Sequence, residues 1–362
     1  MLNQKSQALV VDCDTHFWQP LQLWESYIDE EYRDAIRQVI DTSELVPAAA
    51  RVRVEEAMKI KGGDYPEERI EWMDEEGIDV CIIYPTTMAF LCYHEDIDIA
   101  AAACRGLNRW AAEFAKAAPD RLLPCMVLPW YDPARALEEF HIAHELGLKV
   151  AFSTPTPSLE RRWSDPDYDV LWQALQDKDV VMTFHEFTRV PGTASSLVAR
   201  ASYKDQYPMM YLCGHTVEIQ LSMMDLLLGG VCDRFPKLKI GFVEAHAAWL
   251  QGWLEMLDSV WERPLTAQAR IESGNADALS PSDLFRRQCY VVAFPDDRGL
   301  DLLVERVGSQ VVTLGSDYPH PQTTYGLVEL FDASYDQFDE QVRRDVLGES
   351  AARFFGLPVS AS

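Results

Sequence analysis

Short runs of apolar and β-branched residues recur along the chain, separated by longer segments of helical period. The runs are Ala8–Asp14, Ile78–Tyr84, Leu122–Leu128, Leu148–Phe152, Val180–Phe184, Leu238–Val243, Gln288–Phe294 and Gln310–Leu314. Their near-continuous apolar character predicts strands buried on both faces, as in a parallel sheet, rather than half-exposed antiparallel strands. Between Asp96 and Ala118, Ile99, Ala103, Leu107, Trp110 and Phe114 fall at steps of three or four, the spacing of a helix face. Asp132-Pro133 and Asp165-Pro166 each set a capping acid before a proline suited to a first helical turn. Strand–helix units in this order predict an α/β fold, a closed (β/α)8 TIM barrel forming one domain over residues 1–362. An open doubly wound sheet is the structural alternative.

The spacing of the units is uneven. About 60 residues separate the first strand from the second and about 50 the fifth from the sixth. Insertions over about 18–75 and 188–236 therefore follow the C-terminal ends of strands 1 and 5, the end where barrel enzymes build their sites. Pro191-Gly192 and the Ala/Ser run after it predict a mobile loop or a plain surface excursion. The residues from about Gly356 read as a short frayed tail.

Polar residues stand where these strands end. The first closes Asp12-Cys13-Asp14-Thr15-His16, and period-two alternation puts Asp12, Asp14 and His16 on one face. Phe184-His185-Glu186 closes the fifth strand, Glu244-Ala245-His246 the sixth with both polar groups on one face, and Gly315-Ser316-Asp317-Tyr318-Pro319-His320 the eighth. Asp14 as a turn cap and His16 as a satisfied core residue are the bland readings. Yet unpaired burial of such groups costs several kcal/mol, whereas a divalent cation satisfies them together. Asp14, His16, His185 and Asp317 form a mixed nitrogen–oxygen set suited to Zn2+ or Mn2+.

Other residues have weaker claims. His215 reaches over the site or caps a surface helix, and His320 stands behind Asp317. His94 reads as exposed, and His141 and His144 as a solvated helix face. Phe17 and Trp18 either wall an aromatic pocket or pack the first insertion. Arg51, Arg53 and Arg189 are candidate anchors for a substrate carboxylate or ordinary surface charges.

Composition narrows the partners. With 32 basic and 58 acidic side chains the net charge is −26, which disfavours nucleic acid or anionic membrane as a partner. Apolar residues make up 48% of the chain, enough for a large core, and no run approaches the roughly 18 residues of a membrane helix. Met1–Val11 lacks the apolar core of a signal peptide, and eight scattered cysteines without a CxxC pair read as buried thiols. Together these predict a soluble cytoplasmic protein acting on a small molecule.

The Asp-x-His of strand 1, the strand-5 His and the Gly-Ser-Asp-Tyr-Pro-His of strand 8 resemble the amidohydrolase superfamily. With Gly229-Gly230-Val231-Cys232-Asp233-Arg234-Phe235-Pro236-Lys237-Leu238, they resemble more narrowly its amidohydrolase-related branch of aminocarboxymuconate-semialdehyde, resorcylate and dihydroxybenzoate decarboxylases. The resemblance runs from about Val10 to Phe355 and implies Asp14, His16, His185 and Asp317 as metal ligands. It also implies a homo-oligomer, dimer or tetramer. Strand 4 offers Ser153 and Thr154 at its end, with Lys149 near its entry, so a bridging carbamylated lysine is not expected and one metal is. Members of the branch have an acid/base His on strand 6. Here Glu244 takes the matching place and His246 follows, so either can serve, or Glu244 can orient His246. The activity implied is non-oxidative decarboxylation of a small aromatic or unsaturated, carboxylated substrate, with His215 and Arg189 as candidate substrate contacts. The alternative is hydrolysis of an amide, ester, lactone or C–C bond with Asp317 as base, and hydration or a vestigial binding protein remain open beside it.

Overall fold

The computed structural model describes residues 8–19, 21–42, 60–86, 88–157, 161–186, 207–272 and 276–358. Parallel strands β1 (Val11–His16), β2 (Val80–Tyr84), β3 (Leu122–Val127), β4 (Val150–Ser153), β5 (Val181–His185), β6 (Ile240–Val243), β7 (Cys289–Ala293) and β8 (Val312–Leu314) pair in sequence order. Pairing of Asp12 with Leu314 closes the ring, so the sheet is a barrel and not the open alternative. Each strand lies within three residues of its predicted run, because a strand covered on both faces must be apolar almost throughout.

The helices form where the pattern placed them. Asp96 caps the helix Ile97–Ala115 through the amides of Asp98 and Ile99, and that helix buries Ala103, Leu107, Trp110 and Phe114. Asp132 caps Pro133–Glu145 by accepting the Arg135 amide at 3.0 Å. Asp165 departs from expectation: it gives Pro166–Tyr168 no side-chain cap and accepts the Arg162 amide at 2.8 Å instead. Between β1 and β2 the described chain includes the helices Arg33–Thr42 and Pro66–Glu76. Asp29 fastens this region to the helix Ile97–Ala115, its carboxylate meeting Arg105 at 2.9 Å and Arg109 at 2.7 Å. Phe17 belongs to this packing, 4.9 Å from Trp110 and 4.8 Å from Phe114, and so does not wall a pocket.

Two glycines admit close approaches inside the barrel. A Cβ at Gly241 would stand 2.3 Å from the Tyr290 ring, which fills the space above it. A Cβ at Gly315 would stand 2.4 Å from that of Asp14 and 2.8 Å from Val292 Cγ1. Neither neighbour is the loose end of a flexible chain. The Gly315→Ala protein should lose about 1–3 kcal/mol of unfolding free energy, the usual cost of overpacking, measured by denaturant titration. An unchanged midpoint would show that β1 and β8 separate more easily than this packing implies.

Among the described residues no helix is long and apolar enough to cross a membrane. All eight cysteines are free thiols, and seven of them are buried.

Candidate functional site

Strand ends bring the acids and imidazoles together at the C-terminal rim of the barrel. Backbone hydrogen bonds join the ends of β1 and β8: Asp317 N–H donates to Asp14 O at 2.8 Å, and His16 N–H donates to Tyr318 O at 2.6 Å. From this seam His16 Nε2 lies 3.2 Å from both Asp14 Oδ1 and Asp317 Oδ1. His185, the last residue of β5, places Nε2 3.3 Å from the same Asp14 oxygen. The four residues expected to gather therefore do so. His320 adds to them, its Nδ1 2.5 Å from Asp317 Oδ1 and its ring stacked on His16 at 3.9 Å.

These atoms lie in two overlapping triads, Asp14–His16–His185 and His16–Asp317–His320, each with ligand atoms within 4.8 Å of one another. Both oxygens of Asp14, both of Asp317, Nε2 of His185 and both nitrogens of His16 are buried without hydrogen-bond partners among the described residues. The short contacts thus lack hydrogen-bond geometry. Ligands about 2.1 Å from a common ion stand about 3.0–3.4 Å apart in octahedral or tetrahedral arrangement. The spacings of 3.2 and 3.3 Å match it. Donor chemistry agrees: His185 Nδ1 lies 2.7 Å from the Glu186 carbonyl, which can only accept, so Nδ1 carries the proton and Nε2 presents a lone pair.

Electrostatics favour the same occupant. Burial lowers His16 to about 4, keeping its imidazole neutral. Burial also raises Asp317, against the pull of His320. Crowded carboxylates beside neutral imidazoles form a site that a cation relieves.

Glu244 adjoins this cluster. Its Oε2 is 3.2 Å from His185 Nε2 and 3.5 Å from His215 Nδ1, and burial, then Asp317, Asp14 and Glu186, push its carboxyl well above the usual range. His215 Nδ1 donates to the Glu244 carbonyl at 3.0 Å, and its Nε2 lies 3.2 Å from Glu186 Oε2. Burial and then His185 lower His215 to about 3. Glu186, which sequence reasoning quoted but gave no role, therefore belongs to the site; its signal was its place directly after the strand-5 His.

Two expectations need correction. A register shift between Asp12 and Thr15 interrupts the alternation along β1, so Asp12 does not share the face of Asp14 and His16. Its Oδ1 instead accepts the amides of Asp14 at 3.1 Å and Ser316 at 3.0 Å. Strand β6 ends at Val243, and Glu244 and His246 both take left-handed backbone, φ 54° and 57°, so period two no longer applies to them. Glu244 turns into the cluster, while His246 is 45% exposed and pairs with Asp297 at 2.5 Å, which raises its pKa. Asp14, Asp317, Glu186 and Glu244 are all buried.

The remaining candidates are placed as follows. Lys149 is exposed ahead of β4, while Ser153 and Thr154 at its far end bond Tyr93 Oη at 3.2 and 3.0 Å. Trp18 lies 5.4 Å from the His320 ring, at the edge of the site. His141 is exposed, His94 and His144 half-buried, and none joins the cluster. Arg51, Arg53, Arg189 and Pro191-Gly192 lie outside the described residues.

Comparison with known proteins bears on the chain as a whole. An amidohydrolase family profile matches residues 11–357. The 2-amino-3-carboxymuconate-6-semialdehyde decarboxylase of Dictyostelium discoideum is 23% identical over 305 residues, covering 81% of this chain and 77% of that protein. The 5-carboxyvanillate decarboxylase LigW of Sphingomonas paucimobilis has the same fold, with TM-score 0.71, 22% identity and coverage of 97% and 100% of the two chains. So has 5-carboxyvanillate decarboxylase of Novosphingobium aromaticivorans, complexed with manganese and 4-hydroxy-3-methoxy-5-nitrobenzoic acid, with TM-score 0.70, 19% identity and 97% coverage of each chain.

Proposed function

This chain belongs to the amidohydrolase family, and from that premise we propose that it removes CO2, without oxidation, from a small aromatic or unsaturated carboxylic acid. The observation that carries the reading is the convergence of buried, unbonded ligand atoms from Asp14, His16, His185 and Asp317 at the barrel rim. These four residues would hold one divalent ion, Zn2+ or Mn2+, and the manganese in the Novosphingobium enzyme makes Mn2+ the first to test. When bound, the ion supplies Lewis-acid charge to the substrate carboxylate and a neighbouring oxygen.

The rest of the chemistry falls to the chain. Glu244, between His185 and His215, holds the proton that goes to the ring carbon bearing the carboxylate. As that C–H bond forms and the C–C bond to the carboxylate breaks, its electron pair returns to the ring and CO2 leaves. His215, fixed between the Glu244 carbonyl and Glu186, holds Glu244 in place and contacts the substrate. Arg189 is proposed as an anchor for the substrate's anionic end. The proposal places the enzyme in the cytoplasm as a one-domain homo-oligomer; its eight free thiols fit a reducing compartment.

The test is a panel of carboxylated hydroxyaromatics and unsaturated acids, run with manganese- or zinc-loaded protein in D2O. The expected result is CO2 release, with one deuterium on the carbon that lost the carboxylate. Hydrolysis of esters, lactones or amides by the loaded protein, with no CO2 from any acid, would overturn the decarboxylase reading in favour of hydrolysis.

A further inference from the structure

Arg69 is a fully buried cation that the reaction does not use. It sits on the helix Pro66–Glu76, outside both ligand triads. Burying a guanidinium costs several kcal/mol unless its donors are engaged, so its partners reveal what it holds. Nε donates to Gly62 O at 2.6 Å, and Nη2 donates to the backbone carbonyl of His16. The guanidinium lies 5.0 Å over the Tyr318 ring and 5.6 Å over Trp72, and those two rings stack at 3.7 Å and 6°. Tyr318 Oη in turn donates to Lys61 O.

These contacts meet at the seam between β1 and β8. His16 is held at its amide by Tyr318 O and at its carbonyl by Arg69, so both backbone polar groups of one ligand residue are fixed from behind. Tyr318, next in sequence to Asp317, stacks on Trp72 with Arg69 beside the pair. One side chain thus braces the backbone of His16 and the ring of Tyr318, the residue after Asp317, and ties them to Gly62.

We propose that Arg69 is a positioning residue that sets the protein's affinity for its divalent ion by clamping the His16 carbonyl and packing against the Tyr318 ring. The proposal rests on the reading of Asp14, His16, His185 and Asp317 as metal ligands. Lysine cannot reproduce the clamp, because the fork must bond two carbonyls at once. Loss of such a support behind a ligand typically weakens metal binding about 10–100-fold.

The experiment uses Arg69→Lys, Arg69→Met and Trp72→Leu, each stripped of metal and titrated with Mn2+ and Zn2+ against a chelator of known affinity. Titrations are run well below each apo-protein's melting point, with native packing checked by near-ultraviolet circular dichroism. Both Arg69 variants should bind about 10–100-fold more weakly, and Trp72→Leu, which keeps the cation but removes one ring beside it, should bind several-fold more weakly. The visible bands of the cobalt(II)-loaded proteins should shift with altered ligand geometry, which a residue serving stability alone would not cause. If Arg69→Met does not fold, the other two variants decide. Wild-type affinity and an unchanged cobalt spectrum in the folded variants would overturn the clamp alone. A wild-type protein that takes up no divalent ion would overturn the metal reading, and the clamp with it.

Discussion

In the Asp317→Asn protein, turnover should fall by about 10²–10⁴-fold, the usual loss on removing a positioned acid/base, and further if the ion is lost. Asp317 is fully buried, with neither oxygen hydrogen-bonded among the described residues, and one oxygen faces His16 Nε2 at 3.2 Å and His320 Nδ1 at 2.5 Å. The amide keeps the size but removes the charge, and it can turn an NH2 toward imidazole lone pairs that a cation would occupy. The fold should survive, because the link from Asp317 N–H to Asp14 O is backbone and the barrel closes through strand pairing. Metal content must be measured beside kcat. Full turnover by the metal-replete variant would show that Asp317 neither binds the ion productively nor takes part in proton transfer.

Glu244→Gln should cost a comparable 10²–10⁴-fold in kcat while leaving the metal in place. Glu244 stands outside both ligand triads, so its carboxyl can be lost without removing a donor from either. Glutamine fills the same volume between His185 and His215 but has no acidic proton to deliver. His246→Gln is the control: His246 is 45% exposed and engaged with Asp297, and its loss should cost less than tenfold. The opposite ranking, with His246→Gln the slower protein, would move the proton donor two residues along the chain.

The barrel was legible because parallel strands covered on both faces cannot tolerate polar interruptions, so each apolar run marked its strand to within three residues. The polar residues at their ends were legible for the same reason: Asp14, His16, His185 and Asp317 broke an apolar rule at one end of the barrel. Alternation failed where the backbone stopped being regular. The shift between Asp12 and Thr15 separated Asp12 from Asp14, and left-handed residues past Val243 sent Glu244 and His246 to different partners. His320 could not be assigned from spacing either, since a turn carries it back over His16. Arg69 was invisible in the sequence: nothing in a helical segment of charged residues marks one arginine as buried.

The left-handed backbone of Glu244, His246 and Asp317 has a consequence for laboratory evolution. Among the described residues only Asp179 joins them as a non-glycine with positive φ. An L-residue held in that conformation costs about 1–2 kcal/mol relative to the right-handed basin, a strain that glycine escapes. A selection for heat resistance alone would find glycine at positions 244 and 317 among the easiest gains, and each would delete a carboxyl that the proposed chemistry needs. Heat tolerance and turnover would then compete for the same codons, and a useful thermostable variant would have to collect its gains elsewhere in the barrel.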